Sequence, residues 1–271
     1  MSRLTIATIV AVLASGCATA VRSSSADTIR VLIYNIHAGK DAKGIDNLER
    51  VANIIRDTRA DIVLLQEVDK RTARSGNVDQ IATLATLTGF HGAFGKTLDY
   101  QGGDYGIAVL SRWPIHHDTL IKLPVEPPQA RSGGIYEPRG ALRAVIQSPG
   151  GTLRILNTHI DASREDFYRR QEAATLVRTG AAMRSEGGTA LIGGDLNSEP
   201  ESGVMGMFAS AGWRDLWKSC GVTDGNSYPA DKPIKRIDYL LTAGEAKCTR
   251  AEVLVTEASD HRPVLFEIMR R

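Results

Sequence analysis

The chain has 271 residues, 42% hydrophobic and 24% charged, an ordinary balance for a globular protein and a length that suits one large domain or two small ones. Its formal charge is +2, and no block of five or six like charges occurs, so composition supplies no field that would favour nucleic acid or an anionic membrane. A polyanion partner has no support at this level.

The first residues, "MSRLTIATIVAVLASGCATA", carry Arg3, an apolar stretch from Leu4 to Ala14, and then small residues. The stretch is short for a bilayer span and fits the apolar region of a secretory signal. "LASGC" resembles a bacterial lipobox, with Cys17 at the acylated position and Ala14 where such motifs more often carry Leu. Residues 1–16 are therefore expected to be a lipoprotein-type signal peptide. An ordinary cleaved signal and a buried helix are the alternatives. Residues 17–28 are then a polar tether, and the protein is expected to be exported to the periplasm or outer face, anchored to a membrane through lipidated Cys17. Cys220 and Cys248 remain. Neither has a CxxC neighbour, so a structural role is expected. An oxidising compartment would allow them to pair, but sequence does not show whether their Cα atoms approach.

Short apolar, β-branched runs predict strands at 29–36, 61–68, 106–112, 141–148, 153–160, 189–196, 236–242, 251–256 and 263–269. Ile45, Leu48, Ala52 and Ile55 predict one face of a helix opened by Asp46 and Asn47. Phe167, Gln171, Ala174, Val177 and Ala181 predict a second helix, ended at "EGG". Residues 123–140 form one long Pro/Gly-rich loop, and such loops are often functional. No repeat or low-complexity linker divides the rest, so residues 29–271 read as a single α/β domain of mixed sheets covered by helices.

Polar residues gather where these strands end. Asn35 follows "VLIY", and Glu67 follows "IVLLQ". Asn157, His159 and Asp161 close "LRIL". Asp195 and Asn197 follow "ALIGG", and Asp260 and His261 precede "PVLFEI". Any one of them has a bland explanation, since Asn and Asp commonly end strands by bonding to nearby backbone. Together they suggest a site beyond the strand ends, where ligands bind in α/β sheets. Carboxylates with an Asn amide suit a hard, oxygen-preferring cation such as Mg²⁺ or Mn²⁺. Zinc fits less well without HExxH or Cys/His spacing. No GxSxG supports a serine nucleophile, and no Gly-Lys-Ser/Thr ending supports a phosphate loop.

Eight stretches in order, "YNIH" (34–37), "LLQEV" (64–68), "YGIAVLSRWPI" (105–115), "EPRGAL" (137–142), "NTHID" (157–161), "GGDLNSEP" (193–200), "RIDYLL" (236–241) and "SDHRPV" (259–264), resemble the endonuclease/exonuclease/phosphatase superfamily. That group includes pancreatic deoxyribonuclease, abasic-site endonucleases, neutral sphingomyelinases and inositol polyphosphate 5-phosphatases. The resemblance implies a four-layer sandwich, two mixed β-sheets packed face to face with helices outside. It also implies a Mg²⁺- or Mn²⁺-dependent phosphoester hydrolase. Asn35, Glu67 and Asp260 would hold the metal. Asp195 and Asn197 would position and activate the attacking water or stabilise the phosphorane. His159 would contact phosphate or help protonate the leaving oxygen. His261, oriented by Asp238, would be a second acid/base pair, and Arg139 and Tyr105 would meet the substrate phosphate. Asn157 also reads as a cap of its strand, Tyr105 as core and Asp161 as a loop residue, and Arg236 ranks below Arg139.

Substrate stays open among lipid, sugar-phosphate and nucleic-acid esters. Removal of residues 1–16 takes away Arg3 and no acid, leaving +1, so a lipid or sugar phosphodiester suits a tethered enzyme somewhat better than a polynucleotide. A non-specific endonuclease of the same fold is the alternative. A binding lipoprotein without catalysis is the alternative of another class, opposed by chemically competent residues at every implied position. No protein partner is indicated, and the chain is expected to be a monomer.

Overall fold

The structure is a computed structural model that describes residues 28–128 and 137–270. The expected signal peptide, Cys17 and nearly all of the tether fall outside the described residues, as does the middle of the loop at 123–140. In chain order the elements are β1 (Thr28–Asn35), α1 (Leu48–Asp57), β2 (Ile62–Lys70), α2 (Gln80–Thr88), β3 (His91–Tyr100), β4 (Gly103–Ser111) and β5 (Ile115–Leu123). Next come β6 (Arg139–Ser148), β7 (Gly151–His159), α3 (Phe167–Ser185), β8 (Thr189–Asp195), α4 (Gly203–Ser210) and β9 (Arg214–Asp215). The chain finishes with α5 (Trp217–Cys220), β10 (Asp238–Thr242), β11 (Lys247–Val253) and β12 (Val264–Met269).

Twelve strands make two six-stranded mixed sheets, in the orders β11-β12-β1-β2-β4-β3 and β5-β6-β7-β8-β10-β9. Each sheet has one parallel pair near its centre, β1 with β2 and β7 with β8, and a crossover helix joins each pair: α1 for the first, α3 for the second. The near-continuous apolar runs of these strands have a physical reason, because both of their faces are covered. Val31, Ile33, Leu64 and Val109 of one sheet meet Leu142, Ile155, Leu191 and Leu240 of the other in the central core. On the outer faces, α1 and α2 cover the first sheet through Val51, Ile55, Ile81 and Leu84. Helices α3 and α4 cover the second through Leu176, Met183, Val204 and Phe208. This is the four-layer sandwich that the resemblance implies.

The core is not purely apolar. Gln66 donates to Asn157 Oδ1 at 2.7 Å, while Asn157 Nδ2 donates to the carbonyls of Leu65 and Ala108 at 2.9 and 2.8 Å. Asn157 therefore ties the second sheet to two strands of the first, rather than capping β7. Cys220 and Cys248 form a disulfide with Cα atoms 5.6 Å apart, joining α5 to β11.

Two helix faces differ from expectation. Ile45 lies before α1 and is 60% exposed, so the buried stripe is Val51, Ala52 and Ile55. Asn47 does not cap α1 with its side chain; its amide instead donates to the carbonyls of Ile36 and Ala258. In α3 the buried face is Arg169, Glu172, Ala173, Leu176, Gly180 and Met183, while Phe167 is 53% exposed. Two polar residues, Arg169 and Glu172, sit on that face because they hold the backbone of the loop at Asp161 and Ser163, and they disguise its periodicity.

Candidate active site

The strand ends that carry polar residues converge. Asn35 and Glu67 stand toward the C-terminal ends of β1 and β2, and His159 and Asp195 at those of β7 and β8. The register makes His159 the direct partner of Asp195 across β7 and β8, and Asp238 its partner across β8 and β10. Three chemically active side chains thus stand in a row at one end of three adjacent strands. Gly194, the residue before Asp195, is required there: a Cβ at this position would lie 1.9 Å from the Thr158 carbonyl, and its φ is +132°. Backbone without side chain is what lets β7 and β8 approach beside the site.

Glu67 reaches the cavity through a break in its strand. The register between β2 and β4 shifts between Leu65 and Val68, and Glu67 there adopts φ +56°. A bulge inserts residues that would otherwise alternate and re-aims one side chain. Gly106 lies opposite the bulge, and a Cβ there would stand 2.0 Å from the Gly95 carbonyl. Asn197, on the far side of the site, is likewise left-handed at φ +42°. Strain of this kind in non-glycine residues concentrates where function fixes the backbone.

Around Asp195 the contacts are specific. Asn35 Nδ2 donates to Asp195 Oδ2 at 3.2 Å and to Glu67 Oε1 at 3.1 Å, while Asn35 Oδ1 accepts from the His37 backbone N–H. Asn35 thus orients the two carboxylates and does not present its amide oxygen to them. Asp195 Oδ1 accepts from the Asn197 backbone N–H at 2.9 Å, and Asn197 Nδ2 donates to the Ile160 carbonyl. The Nε2 atoms of His159 and His261 each lie 3.6 Å from Asp195 Oδ2. His261 Nδ1 sits 2.9 Å from Asp238 Oδ2, which also accepts from Ser227 Oγ. Asp260 follows Ser259, whose hydroxyl donates to the Asn35 carbonyl and so ties the turn to β1. Arg262 holds the same turn from the other side, with its backbone N–H on Ser227 O and its side chain on Ala230 O.

Burial alone would hold His261 neutral, yet Asp238, with help from Asp195 and Asp260, outweighs it and raises its pKa to about 10. Asp195 rises to about 7, because burial beside the Asp238 carboxylate opposes a second negative charge more than His261 and two N–H donors favour it. One cavity of about 850 Å³ takes in Glu67, Tyr105, Arg139, His159, Asp195, Asn197, Asp260 and His261. Of the residues expected from sequence, Asn35 and Asp238 stand directly behind this lining. Tyr105 is buried, with its hydroxyl pushed well up by burial and by Glu67 and Glu137. Arg236 is elsewhere occupied, paired with Asp215 at 2.7 Å and stacked on Tyr239. Asp161 is buried in the loop after β7, its carboxylate accepting from the Ser163 N–H.

Sequence reasoning missed several lining residues. Tyr228 packs its ring 4.7 Å from that of His261. Glu137, Arg74, Arg164, Arg169 and Lys235 also face the cavity. Glu137 falls inside the quoted "EPRGAL", so that motif carried a signal; the others lie in aperiodic segments or on a helix face with none.

Asp195, Asp238 and His261 bring donor atoms within 4.8 Å of one another, close enough to hold a metal ion. A proton position already occupies part of that group, between His261 Nδ1 and Asp238. The all-oxygen choice is Glu67 and Asp260. Burial lifts the Tyr228 phenol, the charges of Asp260, Asp195 and Glu67 add to the effect, and all three carboxylates line the same cavity. Such a concentration of negative oxygen donors fits a hard divalent cation.

The model of the Endonuclease/Exonuclease/phosphatase family matches residues 32–261. The chain belongs to this family. It is a hydrolase acting on phosphoric ester bonds, as the family's members are. The uncharacterized protein YbhP of Escherichia coli K12 is 25% identical over 252 residues, covering 89% of this chain and 96% of YbhP. The crystal structure of a family member from Beutenbergia cavernae superposes with a TM-score of 0.76 at 21% identity, over 90% of this chain and 72% of that one. A mannosyl-6-phosphatase from Bacteroides thetaiotaomicron gives 0.72 at 18% identity, over 89% of this chain and 99% of its own. These structural likenesses establish the fold.

Proposed function

We propose that the protein is a divalent-metal-dependent phosphoesterase, using Mg²⁺ or Mn²⁺, that works outside the cytoplasm on a small phosphoester. One observation carries the reading: Glu67, Arg139, His159, Asp195, Asp260 and His261, brought from five separate segments of the chain, line a single cavity. Its volume, about 850 Å³, is that of a small-molecule pocket. A sugar phosphate, of the kind named for the Bacteroides phosphatase, or a lipid phosphodiester headgroup is of suitable size.

Within the site, Asp195 Oδ2 takes the proton of the attacking water, a task suited to a buried carboxyl that titrates near neutrality. The Asn197 backbone N–H and the Asn35 amide fix that carboxylate's orientation. His261, kept charged by Asp238, donates from Nε2 to a phosphoryl oxygen and stabilises the charge that builds there. Glu67 and Asp260, with Asn35 beside them, would hold the cation. When bound, it supplies further charge stabilisation at phosphoryl and leaving oxygens.

Export and tethering through Cys17 rest on the N-terminal sequence, and the Cys220–Cys248 disulfide supports an oxidising compartment. The test of the whole reading is hydrolysis of p-nitrophenyl phosphate, bis-p-nitrophenyl phosphate, sugar phosphates, sphingomyelin and plasmid DNA by the purified chain with Mg²⁺ or Mn²⁺. Activity abolished by EDTA and by His261→Ala supports it. Inactivity with every metal and ester overturns it, and DNA cleavage as the sole strong activity makes the protein a nuclease.

A further inference from the structure

The family resemblance assigns Arg139 to the substrate phosphate. The structure gives it another neighbour. Arg139 is the first residue of β6, whose next residue, Gly140, pairs with His159 of β7. That register sets the guanidinium beside the imidazole. Nη1 lies 3.1 Å from His159 Nδ1 and 2.6 Å from Glu137 Oε1. The side chain is buried, and although burial disfavours its charge, Glu137, Tyr105, Glu172 and Glu67 together hold it more firmly protonated than usual. A guanidinium so enclosed is not free to follow a substrate.

Arginine offers only donors. An imidazole nitrogen in hydrogen-bond contact with it must therefore supply a lone pair, which leaves the ring proton on the other nitrogen. We propose that Arg139 is a positioning residue that fixes His159 as the Nε2–H tautomer, making His159 a constant hydrogen-bond donor to a phosphoryl oxygen in the cavity. The donor role rests on the phosphoesterase reading above; the tautomer does not.

The two histidines make the contrast plain. Both present Nε2 to Asp195 Oδ2 from the same distance, 3.6 Å. They differ in what stands behind them. His261 Nδ1 faces the Asp238 carboxylate, an acceptor, so both of its nitrogens can carry protons. His159 Nδ1 faces a guanidinium, and a proton there would set two donors against each other. His261 can thus carry a proton on both nitrogens, while His159 donates from Nε2 alone. A pre-oriented donor of this type stabilises transition-state charge without reorganisation.

The test is a long-range ¹H–¹⁵N correlation spectrum of the ¹⁵N-histidine-labelled chain at neutral pH, with His159 assigned through His159→Gln. The expected pattern is an unprotonated Nδ1 and a protonated Nε2. Arg139→Met should convert it to a mixture of tautomers, and Arg139→Lys, which restores a cationic donor, should recover it. In turnover, Arg139→Met should lower kcat about tenfold or more, with Arg139→Lys recovering part of the loss. Inorganic phosphate should shift the wild-type Nε2 signal. An Nδ1–H or doubly protonated ring in the wild-type chain overturns the proposal, as does an unchanged tautomer in Arg139→Met. Should Arg139→Met not fold, the wild-type spectrum alone still decides the tautomer. A correct tautomer with no response to phosphate overturns only the donor role. Inactivity on every ester, with the tautomer as stated, would instead sink the phosphoesterase reading.

Discussion

His261 Nδ1 stands 2.9 Å from Asp238 Oδ2, and that oxygen also accepts from Ser227 Oγ. The arrangement holds the imidazole in one orientation and keeps it charged. Asp238→Asn removes the charge while preserving shape, so kcat should fall by about 10²–10⁴. The pH–rate profile gives the more specific readout. In the wild-type chain the rising limb is expected from Asp195, near pH 7, and the falling limb from His261, near pH 10. Without Asp238, Asp195 loses a repelling neighbour and His261 an attracting one. Both limbs should therefore move to lower pH, and an unmoved profile would count against the pairing.

Glu67 meets the cavity at a cost. Its φ of +56° is unfavourable for any residue with a Cβ, by about 1–2 kcal/mol. Glu67→Gly relieves that strain and should raise stability by about 1 kcal/mol in chemical denaturation while abolishing turnover. Glu67→Gln keeps the strain and should abolish turnover at unchanged stability. Calorimetric titration with Mn²⁺ should show weakened binding in both, and in Asp260→Asn. Wild-type metal affinity in all three would remove Glu67 and Asp260 as ligands.

Much of the fold is legible in the amino-acid sequence. Fully covered strands such as β1, β2 and β8 announce themselves as continuous apolar runs, and the site residues stand out because they interrupt those runs. Strands β3 and β5 carry no such signal. The first, "HGAFGKTLDY", holds two glycines and little alternation, and the second, "IHHDTLIKL", is an edge strand mostly open to solvent. The same limit holds at the site. Arg139 can be found from its motif, but its contact with His159 depends on the β6–β7 register, which no local pattern encodes. Tyr228 and Lys235 come from a loop without periodicity, placed by tertiary contacts alone. Asn157 reads from its position as a structural residue, yet its work in joining the sheets is visible only across 91 residues of sequence separation.

Glu172 is a buried carboxyl on α3 that accepts the Asp161 backbone N–H at 2.7 Å. Burial raises its pKa from 4.5 to about 8, against the N–H bond and Arg139, which pull it down. A carboxyl raised by folding binds its proton more tightly in the folded chain, so the fold is favoured at low pH. Stability from this group declines as pH rises from about 4.5 to about 8. Glu172→Gln keeps an acceptor for Asp161 and cannot ionise. It should match wild type near pH 4.5 and exceed it above pH 8, by an amount on the order of a few kcal/mol. Parallel urea titrations across that range provide the measurement. A variant whose stability tracks wild type at every pH would mean that Arg139 and Arg169 fully compensate the charge.

The disulfide offers a test that separates fold from chemistry. Cys220 and Cys248 are 28 residues apart, and both pack against the core between the sheets. Closing a loop of that length restricts the unfolded chain by about 3–4 kcal/mol. The double variant Cys220→Ala, Cys248→Ala should lose stability of that order in denaturant titration, as should the reduced wild-type protein. Neither cysteine lines the catalytic cavity. Turnover per folded molecule at moderate temperature should therefore stay within about twofold of wild type, because surrounding strands, not the bridge, set the geometry at Asp195. A large loss of kcat in a folded double variant would show that α5 and β11 carry strain to the site.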